Sequence, residues 1–243
     1  MTSMIDPVLS TTVPTPVSRS TCCSRRECIL IGLRAAGAGA IAALASSGTA
    51  LAAAAQQRKI LVVGDSLSAE YGLPRGSGWV ALLEARLAAH KPAYTVINAS
   101  ISGDTTSGGR SRLPALLVQH KPSHVVIELG GNDALRGLPL AMTEANLLAM
   151  AQAARAAGAA VMLVGMQVPP NYGQAYSRDF AGLFGKVAQR ERAALVPFLL
   201  AGIADASDAQ KWFQPDRIHP TAQAHPRMLE NVWQVMTGWL GRG

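Results

Sequence analysis

A serine, a histidine with a carboxylate three positions ahead of it, and an asparagine behind paired glycines are the side chains of this sequence best suited to nucleophilic catalysis. Gly64-Asp65-Ser66-Leu67-Ser68 sets a hydroxyl just after the apolar run Ile60–Val63. It misses the G-x-S-x-G elbow because Ser68 stands where the second glycine belongs, and it comes earlier in the chain than that elbow does. Taken alone, the pentapeptide reads as readily as a serine capping the next helix. In Asp216-Arg217-Ile218-His219-Pro220 the carboxylate can turn back, accept the Nδ1 proton and leave Nε2 facing a hydroxyl; alone, such a motif is more often a surface pair. Gly130-Gly131-Asn132-Asp133 offers a close turn and an amide donor, or simply a turn. The loop Asn98–Thr105 can present the backbone amide of Gly103 to an anion. Gly103–Arg110 has the outline of a phosphate loop, but Gly109 occupies the lysine position and the ammonium is missing.

Other chemistries are thinner. His90 ends a helical pattern, and His120 and His124 flank Pro122, whose ring breaks the i,i+4 face that an H-x-x-x-H metal site requires. His225, at the start of the last helical segment, is the competitor of His219 for the base. Cys22, Cys23 and Cys28 all lie near the beginning, which excludes a thiol nucleophile, a disulfide framework and a CxxC metal site from the rest of the chain. No metal or organic cofactor is implied. Asp65, Asp104 and Asp133 read as carboxylates that tie loops together.

Short Val/Ile-rich runs at Lys59–Gly64, Tyr94–Ala99, His124–Leu129 and Ala159–Met166, with a weaker fifth at Ala194–Phe198, have the continuous apolar character of parallel strands covered on both faces. Helical patterns intervene at Trp79–His90, Leu113–Gln119, Thr143–Ala157, Ala175–Gln189 and Pro226–Leu240. This alternation predicts an α/β fold with an open, doubly wound parallel sheet, whose ligands bind at the carboxyl ends of the strands. Ser66, Gly103 and Asn132 each follow a strand, and Asp216 and His219 precede the last helix. One sheet edge therefore collects a nucleophile, a base, an orienting acid and neutral donors, which is the equipment of acyl transfer.

These blocks, G-D-S-L at Gly64–Leu67, the Gly103 loop, G-x-N-D at residues 130–133 and D-x-x-H-P at Asp216–Pro220, resemble those of the SGNH (GDSL) hydrolase family. The strings V-V-G-D-S-L-S-A, N-A-S-I-S-G-D-T, E-L-G-G-N-D-A-L-R-G and P-P-N-Y-G are most similar to its periplasmic acyl-CoA thioesterase I / lysophospholipase L1 / arylesterase group. The resemblance implies a three-layer α/β/α sandwich, flavodoxin-like, with five parallel strands. It implies Ser66 as nucleophile, His219 as base and Asp216 as its orienter. The Ser66 amide, the Gly103 amide and the Asn132 side chain would form the oxyanion hole. The expected reaction is hydrolysis of small-molecule carboxylic esters, aryl or short to medium acyl, with thioesters and lysophospholipids as further candidates. Leu135, Leu138, Met166, Val168 and Tyr172 are expected to line an apolar acyl trough, or else merely to cover the sheet end. The rival readings are an O-acetyl-sugar deacetylase and a membrane-tethered, non-catalytic binding domain.

The chain has 243 residues, 49% apolar and 15% charged, which excludes wholesale disorder. Its 22 Lys and Arg against 15 Asp and Glu give +7, but the bases are scattered singly, so no nucleic-acid partner is expected. Arg25-Arg26 before the uncharged, Ala/Gly-rich stretch Ala35–Ala55 resembles a twin-arginine export signal, although Cys28 replaces the usual phenylalanine and Arg34 interrupts the core. Ala50-Leu51-Ala52 supplies small residues for cleavage near Ala53. The expectation is thus a signal over residues 1–52 and one hydrolase domain over 53–243, periplasmic or secreted. A permanent anchor is the competing reading, since 21 uncharged residues can span a bilayer, but only Ile41, Leu44 and Leu51 among them are strongly apolar. After cleavage no membrane span is expected; oligomeric state is not legible.

Overall fold

The computed structural model describes residues 58–90 and 92–242. The expected export signal at 1–52 lies outside the described residues. Five strands, β1 (Arg58–Gly64), β2 (Tyr94–Asn98), β3 (His124–Glu128), β4 (Ala160–Val164) and β5 (Ala194–Val196), form one sheet in the order β2-β1-β3-β4-β5. Every pairing is parallel. The helices are α1 (Trp79–Leu87), α2 (Thr106–His120), α3 (Gly131–Leu135), α4 (Leu140–Ala156), α5 (Gln174–Glu191) and α6 (His225–Trp239). Helices α2 and α4 pack together, α4 packs on α5, and α1 packs on α6. This is the α/β/α sandwich expected of the family.

Val62, Val63, Val125, Val126, Ile127, Leu163 and Val164 are all essentially buried, which is why these strands carry no alternation of polar residues. The amphipathic helix α6 buries Met228, Leu229, Val232, Met236 and Trp239 on one stripe. None of the described helices is long and apolar enough to cross a membrane.

Two elements depart from the sequence expectation. Helix α2 begins at Thr106, about two turns before the expected Leu113. Its first turn holds Gly108 and Gly109, poor helix formers. Thr105 caps it, its hydroxyl accepting from the Gly108 amide at 3.3 Å. The glycines fit for lack of a side chain, since a Cβ on Gly109 would lie 2.3 Å from Leu129 Cδ1. The second departure is Gly131–Leu135, expected as a turn and found as a short helix whose amino-terminal neighbour Gly130 has φ of 122°. Only glycine adopts that conformation readily.

Candidate active site

Each piece of the site sits just beyond the carboxyl end of a strand or on the loop before α6. After β1 the chain turns sharply, the Ser68 and Ala69 amides donating to the Asp65 carbonyl at 3.2 and 2.9 Å. The Leu67 amide donates to Asp65 Oδ1 at 3.0 Å, so the turn carrying Ser66 is closed on both sides. At the other end of the chain, Asp216 Oδ1 accepts from the Ile218 and His219 amides at 2.9 and 3.0 Å. Arg217 pays for that tight loop with φ of 58°. The Gln214 amide donates to the His219 carbonyl at 2.8 Å, and its side-chain Nε2 donates to the carbonyls of Tyr71 and Pro220 at 2.9 and 3.0 Å. Gln214 therefore ties the histidine loop to the serine loop.

The two loops bring a triad together. His219 Nε2 lies 2.8 Å from Ser66 Oγ, and His219 Nδ1 lies 2.7 Å from Asp216 Oδ2. In the tautomer with the proton on Nδ1, the ring donates to Asp216 and accepts from Ser66. Desolvation works against the charge of Asp216. It is outweighed by the His219 amide and imidazole and the Ile218 amide, which hold the carboxyl down at about 2. Tyr71, half exposed, lays its ring over the imidazole with centroids 4.3 Å apart.

His225, the rival base, is buried and faces away from this chemistry. Its Nδ1 accepts the backbone amide of Trp79 at 3.0 Å, satisfying an open donor at the start of α1, and burial lowers its pKa to about 4. Within the described residues no cluster of His, Cys, Asp or Glu could hold a metal.

Asn132 occupies the first turn of α3. Its Nδ2 donates one hydrogen to Asp65 Oδ2 at 3.0 Å and keeps a second hydrogen. Burial raises Asp65 to about 6 against the pull of those donors. Gly103 has φ of 79°, and its carbonyl accepts from Arg136 Nη2 at 2.9 Å. The amides of Ser66 and Gly103 have no acceptor among the described residues. Asp65, Asp104 and Asp133 all tie loops, as expected: Asp104 accepts from Arg112 at 2.8 Å, and Asp133 from the Thr106 amide at 2.8 Å, the Thr106 hydroxyl and Thr143.

A groove of about 580 Å³ opens beside Ser66, Asn132 and His219. Leu135, Met166 and Val168 line it. Leu138 and Tyr172 are not among the residues lining it. The Tyr172 ring stacks on that of Tyr176 of α5, centroids 6.1 Å apart, and the Leu138 amide closes the end of α3 on the Asp133 carbonyl at 2.9 Å. The opposite wall comes instead from Phe198, Leu200, Phe213 and Ile218. These four stand in loops between β5 and α6, where no periodicity marks an inward face, so the sequence carried no signal for them.

Known proteins similar to this chain are ester hydrolases. Residues 62–227 match the GDSL-like Lipase/Acylhydrolase family. The chain is 53% identical to Esterase TesA of Pseudomonas aeruginosa over 182 residues, covering 75% of this chain and 89% of that protein. It is 41% identical over 173 residues to the Escherichia coli protein named Thioesterase 1/protease 1/lysophospholipase L1, covering 71% and 80% respectively. Among solved structures, the psychrotrophic esterase EstA from Pseudoalteromonas sp., inhibited by monoethylphosphonate, superposes with a TM-score of 0.71 at 40% identity, covering 76% of this chain and 100% of that one.

Proposed function

Since this chain belongs to the GDSL-like lipase/acylhydrolase family and is an ester hydrolase, we propose that its reaction runs through an acyl-enzyme on Ser66. His219 takes the hydroxyl proton as Ser66 Oγ bonds to the acyl carbon, and Asp216 steadies the imidazolium. The negative charge developing on the carbonyl oxygen is received by the Ser66 and Gly103 amides and the free hydrogen of Asn132 Nδ2. As the tetrahedral intermediate collapses, the bond to the leaving oxygen or sulfur breaks and His219 protonates it. Water, deprotonated by the same imidazole, then releases the acid and restores Ser66.

The observation that carries this reading is the hydrogen-bonded line from Ser66 Oγ through His219 to Asp216, at 2.8 and 2.7 Å. The small-molecule substrate is an ester with a short to medium acyl chain, aryl esters included. The groove's Leu135, Met166, Val168, Phe198, Leu200 and Phe213 reward methylenes, which favours such chains over acetate. Thioesters and lysophospholipids follow as candidates from the name of the Escherichia coli relative. Residues 1–52 act as a twin-arginine-like export signal, and 53–243 form one periplasmic or secreted hydrolase domain. Covalent labelling by a fluorophosphonate tests the chemistry: one equivalent is incorporated by the wild type and none by Ser66→Ala. Labelling that persists in Ser66→Ala overturns the assignment.

A further inference from the structure

Glu128 is the last residue of β3, it is completely buried, and the triad does not use it. The strand register sets it beside Gly64, immediately before the turn that carries Ser66. Its Oε2 accepts the Ser68 hydroxyl at 2.7 Å and, more weakly, the Asp65 amide at 3.4 Å. Ser68 Oγ accepts in turn from the indole Nε1 of buried Trp79 at 3.2 Å. Asp65 continues the line forward, since its Oδ2 receives the Asn132 amide at 3.0 Å. One connected row of polar groups thus runs from α1 beneath the nucleophile turn to the oxyanion donor.

The arrangement is tightly fitted. A Cβ on Gly64 would come within 2.7 Å of Ser68 Oγ and 2.8 Å of Glu128 Oε2, so only glycine leaves room for this contact. Glu128 Oε1, by contrast, has no hydrogen-bond partner among the described residues. A buried acid with an oxygen left over costs stability that an apolar residue would not, and the rest of this strand end is Val and Ile. Packing alone therefore gives no reason for a glutamate here.

We propose that Glu128 is a positioning residue of the esterase, holding Ser68 and the Asp65 amide so that Ser66 and Asn132 converge on one carbonyl group. Its surroundings favour the neutral acid. Burial first, and the neighbouring Asp65 carboxyl second, push its pKa well above the usual carboxylate range. The uncharged isostere glutamine is then an adequate replacement, whereas alanine removes the acceptor and frees the turn. A displacement of about 1 Å in a positioned reacting group costs on the order of 10²-fold.

The test measures kcat and KM of Glu128→Ala, Glu128→Gln and Ser68→Ala on p-nitrophenyl butyrate, with kcat expressed per fluorophosphonate-titrated site, so that unfolded molecules do not count. Glu128→Ala is expected to lose about 30- to 100-fold in kcat with KM within about twofold, and Glu128→Gln to recover to within about threefold of wild type. Should Glu128→Ala fail to fold, Ser68→Ala carries the same expectation, because it removes the group that Glu128 holds. Full kcat per site in Glu128→Ala or Ser68→Ala, or a Glu128→Gln as slow as Glu128→Ala, overturns the proposal. It rests on Ser66 as nucleophile, so Ser66→Ala, which takes up no label, is measured alongside with its turnover expressed per folded molecule. Turnover retained there refutes that reading, while an inactive Ser66→Ala beside a fully active Glu128→Ala refutes the role of Glu128 alone.

Discussion

On the proposed mechanism Asn132→Ala separates catalysis from binding and stability, because Nδ2 would serve the oxyanion as well as Asp65. One hydrogen is committed to Asp65 Oδ2 at 3.0 Å, and the other is free for the oxyanion. The free hydrogen gains strength as charge develops on the substrate oxygen, so its loss falls on the transition state. Removal of one such donor costs about 2.7–4 kcal/mol, or roughly 10²–10³-fold in kcat, with KM little changed. The committed hydrogen has a different consequence. Its loss strips a donor from buried Asp65, costing about 1–3 kcal/mol of stability, which in a domain of this size is a fall in Tm of about 2–12 °C. Asn132→Ser adds a test of geometry, since its shorter hydroxyl can serve at most one of the two partners. Steady-state kinetics on p-nitrophenyl butyrate, read beside a thermal melt, checks both halves. A large rise in KM at constant kcat would refute the oxyanion role, and an unchanged Tm would refute the tie to Asp65.

Ser66→Ala and His219→Ala are each expected to lower turnover on the order of 10⁴–10⁶-fold without unfolding the protein; if His225→Ala lost activity while His219→Ala kept more than a tenth of it, the base would be misassigned. Across p-nitrophenyl esters from C2 to C16, kcat/KM should rise by up to about fourfold per methylene, 0.8 kcal/mol each, through roughly C4 to C10. Val168→Asp should flatten that rise and Leu138→Asp should not; a series peaking at acetate would refute the groove. Buried His225 takes a proton only near pH 4, whereas the unfolded chain takes it near 6.5, so its contribution is present above pH 6.5 and is lost as pH falls through that interval. Buried Asp65, raised to about 6, acts in the opposite sense, so the comparison is with His225→Gln: denaturant melts should show the wild type losing about 2–3 kcal/mol more than the variant between pH 6.5 and 4, and parallel profiles would refute the buried cap. Mass measurement of periplasmic protein should give a start near Ala53, and joint Arg25→Lys and Arg26→Lys should block export; full-length protein in the membrane fraction would favour an anchor.

The sequence reading was surest where one physical demand dominates. Strands such as Val125–Ile127 are buried on both faces, so their run of apolar residues is unambiguous. The paired roles of Asp216 and His219 are three residues apart, close enough for spacing to suggest contact. Helix α2 was half hidden because its first turn serves the packing of Gly109 against Leu129 rather than helix propensity. The groove wall formed by Phe198, Leu200, Phe213 and Ile218 was invisible, since loop residues have no period to betray which way they face. His225 could not be separated from His219 by position alone. What separates them is the environment, an amide of α1 in one case and an exposed carboxylate loop in the other.

The separation of 153 positions between Ser66 and His219 also sets, on the proposed mechanism, when the enzyme can act. The hydroxyl emerges early in synthesis, but its base arrives only with the segment leading into α6, and that segment is secured through His225 on the start of α1 and Gln214 on the Tyr71 carbonyl. On that mechanism, a chain still lacking this segment holds a serine with no base to activate it. Hydrolytic power therefore appears as a late, collective event, and turnover of a chromogenic ester counts completed molecules, reporting on the closure of the chain as directly as on its chemistry.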